Sequence, residues 1–185
     1  MKNILLCVTG SIAAYKAAEL ANRFVKDGFN VDVVMTDSAQ KFITPLTFQS
    51  LTKNRVYTSM WDEYEPDSVE HISLAKKADL CLVAPATANI IGKIAGGIAD
   101  DMATTVIMAL DHAPVVICPA MNTKMYENPI TQRNIKALEE LGYHFIEPKE
   151  SLLACGDLGK GALADIEVII DTVKKLLKGL KEKDI

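Results

Sequence analysis

Short apolar runs alternate along the chain with longer segments in which apolar residues recur at a helical period. The runs are apolar at successive positions instead of every second one, which is typical of strands buried on both faces of a sheet. We therefore predict strands over residues 4–8, 31–35, 80–84, 115–118 and 144–146. The intervening segments predict helices over residues 11–26, 39–51 with a break near Pro45, 71–78, 88–95, 100–110, 129–141 and 166–180.

The regular alternation of strand and helix predicts βαβ units with right-handed crossovers. Such units build a parallel sheet that helices cover on both faces. We predict a Rossmann-like, three-layer α/β/α fold with a parallel sheet of five or six strands. No internal repeat or interdomain linker interrupts the pattern, so we expect residues 1–185 to form a single domain.

Composition and short motifs argue against several classes of protein. The 20 basic and 24 acidic residues give a net charge of −4, which argues against nucleic-acid binding through a basic surface. The longest charge-poor stretch, residues 80–92, is shorter than the about 20 residues that cross a bilayer, so we expect no membrane span. The four cysteines form no CxxC pair, which predicts reduced thiols in a cytoplasmic protein. The three histidines lack an HExxH motif or a cysteine cluster, so we expect no metal site.

Two predicted connections, residues 53–70 and 148–164, are longer than a compact domain usually needs. Loops beyond about 12–15 residues tend to be lids or interface segments. We therefore expect both connections to form the rim of a site.

Polar residues and a glycine directly follow four of the predicted strands. Ligands of open α/β sheets bind beyond the carboxyl ends of the strands, so these positions are candidates for a binding site. They are Thr9-Gly10-Ser11, Thr36-Asp37-Ser38, Pro85-Ala86-Thr87-Ala88-Asn89 and Pro119-Ala120-Met121-Asn122. Any one of them alone is more simply a helix N-cap, but four together favour a ligand.

The first of these segments suits an anion. Gly10 and Ser11 precede an alanine-rich helix, where backbone N–H groups and the helix dipole favour a phosphate, and Ser38 adds a hydroxyl donor. The segment has one glycine where a G-x-G-x-x-G motif has three, and the chain has no G-x-x-x-x-G-K-[ST] motif. A mononucleotide is therefore favoured over a dinucleotide or a nucleoside triphosphate.

Five segments carry a specific pattern in order along nearly the whole chain. They are Gly10-Ser11-Ile12-Ala13-Ala14-Tyr15-Lys16, His71-Ile72-x-Leu74, Pro85-Ala86-Thr87-Ala88-Asn89, Pro119-Ala120-Met121-Asn122-x-x-Met125 and Ala154-Cys155-Gly156-Asp157. Together they resemble the homo-oligomeric flavin-containing cysteine decarboxylases. The resemblance is nearest to the branch that serves coenzyme A synthesis, since position 126 is Tyr where the peptide-modifying branch has Trp.

The resemblance implies FMN as the cofactor and conversion of 4′-phosphopantothenoylcysteine to 4′-phosphopantetheine as the reaction. In the family's mechanism the flavin takes a hydride from the cysteine Cβ–SH group, CO₂ leaves the resulting thioaldehyde, and the same flavin reduces the enethiol. The residues implied for FMN are Gly10, Ser11, Ile12, Thr36, Ser38, Thr87, Ala88, Asn89, Ile90 and Ala120. Those implied for the substrate are Asn122, Met125, Ala154, Gly156 and Asp157.

Two residues are candidates for catalysis. His71 opens a predicted helix, whose dipole disfavours a protonated imidazole and keeps it available as a base, although a plain surface or core histidine is equally consistent. Cys155 lies on a glycine-rich loop, where it has no necessary role, but the resemblance implies that it donates the proton to the enethiol. Asn122 can simply cap a helix; with the resemblance we prefer it as the amide that holds the substrate carboxylate.

The resemblance also implies a closed homo-oligomer, a trimer or a dodecamer of trimers, with the flavin at the contact between subunits. The predicted helix 100–110 carries Met102, Val106, Ile107 and Met108, which we interpret as surface for assembly or, equally, as ordinary core. The resemblance also implies a separate phosphopantothenate–cysteine ligase as a partner, because decarboxylases of this branch are often fused to one.

Three other functions stay open at this point. The first is oxidative decarboxylation of a C-terminal peptide cysteine. The second is a prenyl-flavin-forming transferase, whose relatives lack the histidine and the P-x-M-N motif. The third is a non-catalytic flavoprotein that inhibits a phosphatase as its regulatory subunit.

Overall fold

The molecule is built around a parallel sheet, and the computed structural model describes residues 1–61, 69–152 and 158–181 of the chain. The strands of the sheet are β1 (Asn3–Val8), β2 (Asn30–Met35), β3 (Val56–Tyr57), β4 (Leu80–Ala86), β5 (Val115–Pro119) and β6 (His144–Phe145). They are ordered β3-β2-β1-β4-β5-β6, and every neighbouring pair is parallel. A separate antiparallel hairpin consists of β7 (Lys149–Leu152) and β8 (Leu158–Ala162).

Helices connect the strands and cover both faces of the sheet. In the described part of the chain they are α1 (Ala14–Lys26), α2 (Pro45–Thr52), α3 (Glu70–Lys77), α4 (Ala88–Ala95), α5 (Met102–Met108), α6 (Thr123–Tyr126), α7 (Pro129–Glu140) and α8 (Ile166–Lys181). A short 3₁₀ turn, Ala39–Lys41, precedes α2. The predicted three-layer α/β/α architecture is confirmed, and of the five or six strands predicted for the parallel sheet, six are present.

Alternate residues of the central strands enter two separate cores. In β1, Leu6 packs towards the side covered by α1, α2 and α8, while Cys7 packs towards the side covered by α3, α4, α5 and α7. Small residues let α1 approach the sheet closely, since Ala14, Ala17 and Ala21 are all buried. Both faces are therefore closed, and the carboxyl-end edge of the sheet is the natural place for a ligand.

All five strands predicted from apolar runs are present, within two residues of their predicted ends. Helices 71–78, 88–95, 129–141 and 166–180 are likewise present as α3, α4, α7 and α8. Gly28 ends the first helical segment with a φ of +85°, a conformation that glycine adopts without steric cost. The β3 strand, the β7–β8 hairpin and α6 were not predicted.

Three predicted helix boundaries were wrong for local reasons. The first helix begins at Ala14 and not at residue 11, because residues 11–13 form turns. The segment 39–51 divides into the 3₁₀ turn and α2, which takes Pro45 as its first residue, where a missing N–H costs nothing. The segment 100–110 becomes helical only at Met102, since Asp101 caps the helix through a reciprocal pair of bonds with Thr104.

No described helix is both long and apolar enough to cross a membrane.

The apolar residues of α5, which were interpreted as assembly surface or as core, are largely core. Met102, Val106 and Ile107 are buried within the chain, and Met108 alone of the four is exposed. Core packing is therefore the correct interpretation for those three.

Candidate functional site

A cleft of about 890 Å³ opens at the carboxyl ends of the central strands. Its walls come from the segments that follow β1, β2, β4 and β5, together with the start of α6 and part of β8. The predicted site residues that line it are Gly10, Ser11, Ile12, Thr36, Ser38, Thr87, Ala88, Asn89, Ile90, Ala120, Asn122 and Met125. The structure thus brings every residue implied for FMN, and both described residues implied for substrate, into one cavity.

The segments after β1 and β2 touch each other at Gly10. A Cβ atom at this position would overlap the Cβ of Ser38 and lie 3.1 Å from its carbonyl carbon. The approach therefore requires glycine for lack of space. It places the hydroxyl-bearing residues Ser11 and Ser38 on the same wall of the cleft.

Several of the hydroxyls do cap backbone N–H groups, as the N-cap interpretation predicts for single segments. Thr87 Oγ1 accepts from Ile90 N–H at 3.3 Å, and Thr36 Oγ1 accepts from Ala39 N–H at 3.2 Å. Ser38 makes no capping bond although it precedes the 3₁₀ turn. An accepting hydroxyl keeps its own hydrogen as a donor, so capping fixes these oxygens in place without removing them from use by a ligand.

Thr9 is a buried residue of the site that stood in a predicted candidate segment but was assigned no role there. Its hydroxyl donates to Pro85 O at 2.6 Å and accepts from Thr87 N–H at 3.1 Å. It thereby ties the end of β1 to the segment that starts α4. Thr9 was noted in the sequence as a polar residue at the end of an apolar strand, but the phosphate site was assigned to Gly10, Ser11 and Ser38.

A charged group lies on the wall formed by α4 and α5. Lys93 Nζ contacts Asp100 Oδ1 at 2.6 Å and Asp101 Oδ2 at 3.2 Å, and all three residues line the cleft. Burial alone would raise the pKa of Asp101, but bonds from Thr104 and Lys93 outweigh it and hold that pKa below its usual value. The hydrogen bond from Lys93 to Asp100 is the main cause that raises the pKa of Lys93. Both pKa shifts keep this wall ionised.

The segment carrying Asn122 is organised by short-range hydrogen bonds. The side-chain Oδ1 of Asn122 accepts from Lys124 N–H at 2.9 Å and so caps α6, which confirms the capping role. With the oxygen directed to the backbone, the amide nitrogen carries the donors that a carboxylate needs. Met125, one turn further on, is half exposed and lines the cleft.

His71 lies elsewhere and is not among the residues that line the cleft of its own chain. It is the second residue of α3, so its predicted position at a helix start is confirmed. Because α3 runs back to the start of β4, its first turn faces the same edge of the sheet as the cleft. Next to His71, Glu70 forms an ion pair of 2.5 Å with Arg55, which anchors this turn to the start of β3.

The predicted residues Ala154, Cys155, Gly156 and Asp157 lie outside the described residues. The other three cysteines, Cys7, Cys81 and Cys118, are free and buried, and burial raises the pKa of Cys118 well above its usual value. Within the described ranges no group of three or more metal-ligating side chains comes together.

Comparison with known proteins places these features in context. Residues 1–178 match the model of a family described as Flavoprotein. A probable phosphopantothenoylcysteine decarboxylase of Streptococcus mutans is 54% identical over 177 residues, which are 95% of this chain and 99% of that protein. The coenzyme A biosynthesis bifunctional protein CoaBC of Bacillus subtilis is 53% identical over 94% of this chain, which spans only 43% of that longer protein.

Solved structures agree with the sequence matches. A cysteine-to-serine mutant of PPC decarboxylase, complexed with pantothenoylaminoethenethiol, superposes with a TM-score of 0.87 at 36% identity, covering 96% of this chain and 98% of the other. The FMN-binding protein AtHal3 superposes with a TM-score of 0.83 at 37% identity, and the match covers 96% of this chain and 97% of AtHal3.

Proposed function

The chain belongs to the flavoprotein family, and from that premise we propose that it binds FMN and decarboxylates 4′-phosphopantothenoylcysteine to 4′-phosphopantetheine. One observation carries the proposal: the segments after four strands, together with Asn122 and Met125, open into a single cleft. The S. mutans relative, which matches over nearly the whole of both chains, supports the same reaction.

The cleft fits a flavin mononucleotide. Its phosphate would meet the wall where Gly10 allows the close approach of Ser38 and where Ser11 and Ser38 offer hydroxyl donors. Thr87 to Ile90, at the start of the eight-residue helix α4, would hold the other parts of the cofactor. The volume lies within the range of sites that enclose a small organic ligand.

The bound flavin supplies a reversible two-electron oxidation, which the side chains of this protein cannot provide. Asn122 would donate from its amide nitrogen to the substrate carboxylate and so fix the position of the neighbouring thiol. Met125 would provide apolar contact beside the reacting carbons. We assign to Ala154, Gly156 and Asp157 further contacts to substrate, and to Cys155 the transfer of a proton to the enethiol carbon.

We further propose that His71 serves the cleft of a second copy of the chain, where it would act as a base on the substrate. This accounts for a catalytic candidate that lies at the correct edge of the sheet but outside its own chain's cleft. Exposed apolar side chains at the cleft mouth support such a contact, since Ile12 and Tyr15 are 61% and 62% exposed. The assembly would be a trimer or a dodecamer of trimers.

The remaining parts of the proposal concern context. We place the protein in the cytoplasm, which agrees with its three buried free thiols. We treat residues 1–185 as one flavin-binding domain, since a single sheet organises both cores. The bifunctional relatives support a separate phosphopantothenate–cysteine ligase as a partner in the same pathway.

A CO₂-release assay with two substrates tests the function. The protein reconstituted with FMN should release CO₂ from 4′-phosphopantothenoylcysteine and not from a peptide ending in cysteine. Release from the peptide alone would assign the peptide-modifying reaction, and release from neither, with FMN bound, would favour a non-catalytic flavoprotein.

A further inference from the structure

The hairpin β7–β8 lies outside the main sheet, yet β8 is seated directly on the segment that carries Asn122. Met121 N–H donates to Gly161 O at 2.9 Å, which joins the residue before Asn122 to β8. Thr123, the residue after Asn122, lies against Gly159 of the same strand. The two neighbours of Asn122 are thus each held by one glycine of β8.

Both glycines are required by lack of space. A Cβ atom at Gly159 would overlap Thr123 Oγ1 and lie 2.9 Å from its Cγ2 and 3.1 Å from its Cβ. A Cβ atom at Gly161 would overlap the backbone oxygen of Met121 and lie 3.3 Å from Thr123 N. Neither glycine has the positive φ that would explain it by conformation. Close approach of two backbones is therefore what these positions provide.

The contact between Thr123 and Gly159 depends on close packing and not on a hydrogen bond of the Thr123 hydroxyl. Its Oγ1 atom is buried and has no hydrogen-bond partner among the described residues. Such a group lowers stability compared with a satisfied one, so Thr123 gains nothing here from a specific polar bond. The Thr123 side chain packs against Gly159 and fills the space that a Cβ atom there would need.

We propose that Gly159 and Gly161 are positioning residues for Asn122, which rests on the proposed function because it assigns Asn122 to the substrate carboxylate. They seat β8 on residues 121–123 and thereby set where the Asn122 amide points in the cleft. A side chain at either glycine lifts β8, breaks the Met121–Gly161 bond and moves Asn122 away from the carboxylate. Nine of the ten residues assigned to FMN lie in the segments after β1, β2 and β4, which other contacts hold. The tenth, Ala120, is held by its own N–H bond to Ala86 O at 2.9 Å, so flavin binding persists.

The two glycines differ in what can relieve the overlap, and this difference provides the test. At Gly159 the obstacle is a side chain, so Thr123→Ala removes two of the three obstructing atoms. At Gly161 it is the Met121 backbone oxygen, which no substitution removes. Gly159→Ala should lower kcat/KM about tenfold or more, and adding Thr123→Ala should restore it to within about threefold of the wild type. Gly161→Ala should lower kcat/KM by a similar factor, and adding Thr123→Ala should not restore it.

Two further measurements and one control variant distinguish a positioning role from a general loss of structure. FMN affinity should stay within about twofold in every variant, since the cofactor segments are not displaced. Gly179→Ala is the matched control, because a Cβ there meets no atom within 4 Å. Hydrogen exchange at the Met121 amide, which needs no substrate, should accelerate in Gly159→Ala and Gly161→Ala and return to the wild-type rate in Gly159→Ala/Thr123→Ala.

Two results, one on amide exchange and activity and one on the double variant, would overturn the proposal. Unchanged exchange at Met121 together with unchanged kcat/KM in Gly159→Ala would do so, as would a double variant no better than Gly159→Ala alone. If Gly159→Ala fails to fold, the double variant decides: it should fold and turn over substrate, and its failure contradicts the proposal. If the wild type rejects the substrate, the proposed function fails, while the amide-exchange result still decides whether β8 fixes this segment.

Discussion

The hydroxyl of Thr9 donates a hydrogen bond to Pro85 O at 2.6 Å and accepts one from Thr87 N–H at 3.1 Å. One buried side chain therefore joins two of the segments that form the cleft. Its two partners are a carbonyl and an N–H of the segment in which β4 ends and α4 begins. The position of Thr87 relative to Gly10 depends on this link.

Thr9→Val should weaken FMN binding, because valine keeps the shape but leaves both backbone groups without a partner. An unsatisfied buried group costs about 1–3 kcal/mol, so we expect the Kd of FMN to rise about tenfold or more. Thr9→Ser, which retains the hydroxyl, is the matched control. Flavin fluorescence titration measures both, and equal Kd values for Thr9→Val and the wild type would contradict the role of this link.

Gly10→Ala should abolish stable flavin binding. Its Cβ atom would overlap that of Ser38, so the segments after β1 and β2 must separate. The purified variant should be colourless and should not gain a flavin absorption band when FMN is added. Gly179→Ala, made in open space on α8, should remain yellow. A yellow Gly10→Ala protein would show that this wall does not hold the cofactor.

His71→Asn and Asn122→Asp should each bind FMN but lose decarboxylation, and together they should complement each other. The carboxylate introduced at position 122 repels that of the substrate, while His71→Asn removes the proposed base. If His71 serves a second copy, co-expressed variants purified through two different tags should regain activity in about a third of the sites of a mixed trimer, or about a quarter of those of a randomly mixed dodecamer. An inactive mixed assembly would place both residues in the cleft of one chain.

Cys155→Ser tests the proposed proton donor. A serine hydroxyl is a much weaker acid than a thiol, so the variant should release CO₂ but fail to complete the reduction. Mass spectrometry should show a product two hydrogens lighter than 4′-phosphopantetheine. Full conversion to 4′-phosphopantetheine by this variant would remove Cys155 from the mechanism.

The sequence predicted the central strands well because they are buried on both faces, so their apolar runs are uninterrupted. The β1 and β4 strands, for example, have almost every residue in the core. By contrast, β3 pairs through only two residues at the edge of the sheet. The β8 strand has glycine at two of its five positions, a composition that predicts a loop. Tertiary contact with residues 121–123, which no local pattern encodes, makes it a strand.

The site was predictable where the chemistry lies directly after a strand, and less so elsewhere. Ser38 and Asn122 follow strands and were brought to the cleft as predicted. Thr9 stood in a candidate segment, but its role was not predicted because it depends on a bond to a distant strand end. The separation of His71 from the cleft could not be inferred from the sequence, because it depends on how α3 lies relative to the strand ends, which no local pattern encodes.

The proposed reaction is a decarboxylation without net oxidation, in which the flavin would accept a hydride from the substrate and return it to the product. The most direct measurement is an anaerobic reaction of the FMN-loaded protein with excess 4′-phosphopantothenoylcysteine, in which CO₂ and product are quantified together. We predict many turnovers, with one 4′-phosphopantetheine formed for each CO₂ and the flavin oxidised at the end. A single turnover that stops with reduced flavin and an enethiol product, or no CO₂ at all, would contradict decarboxylation without net oxidation.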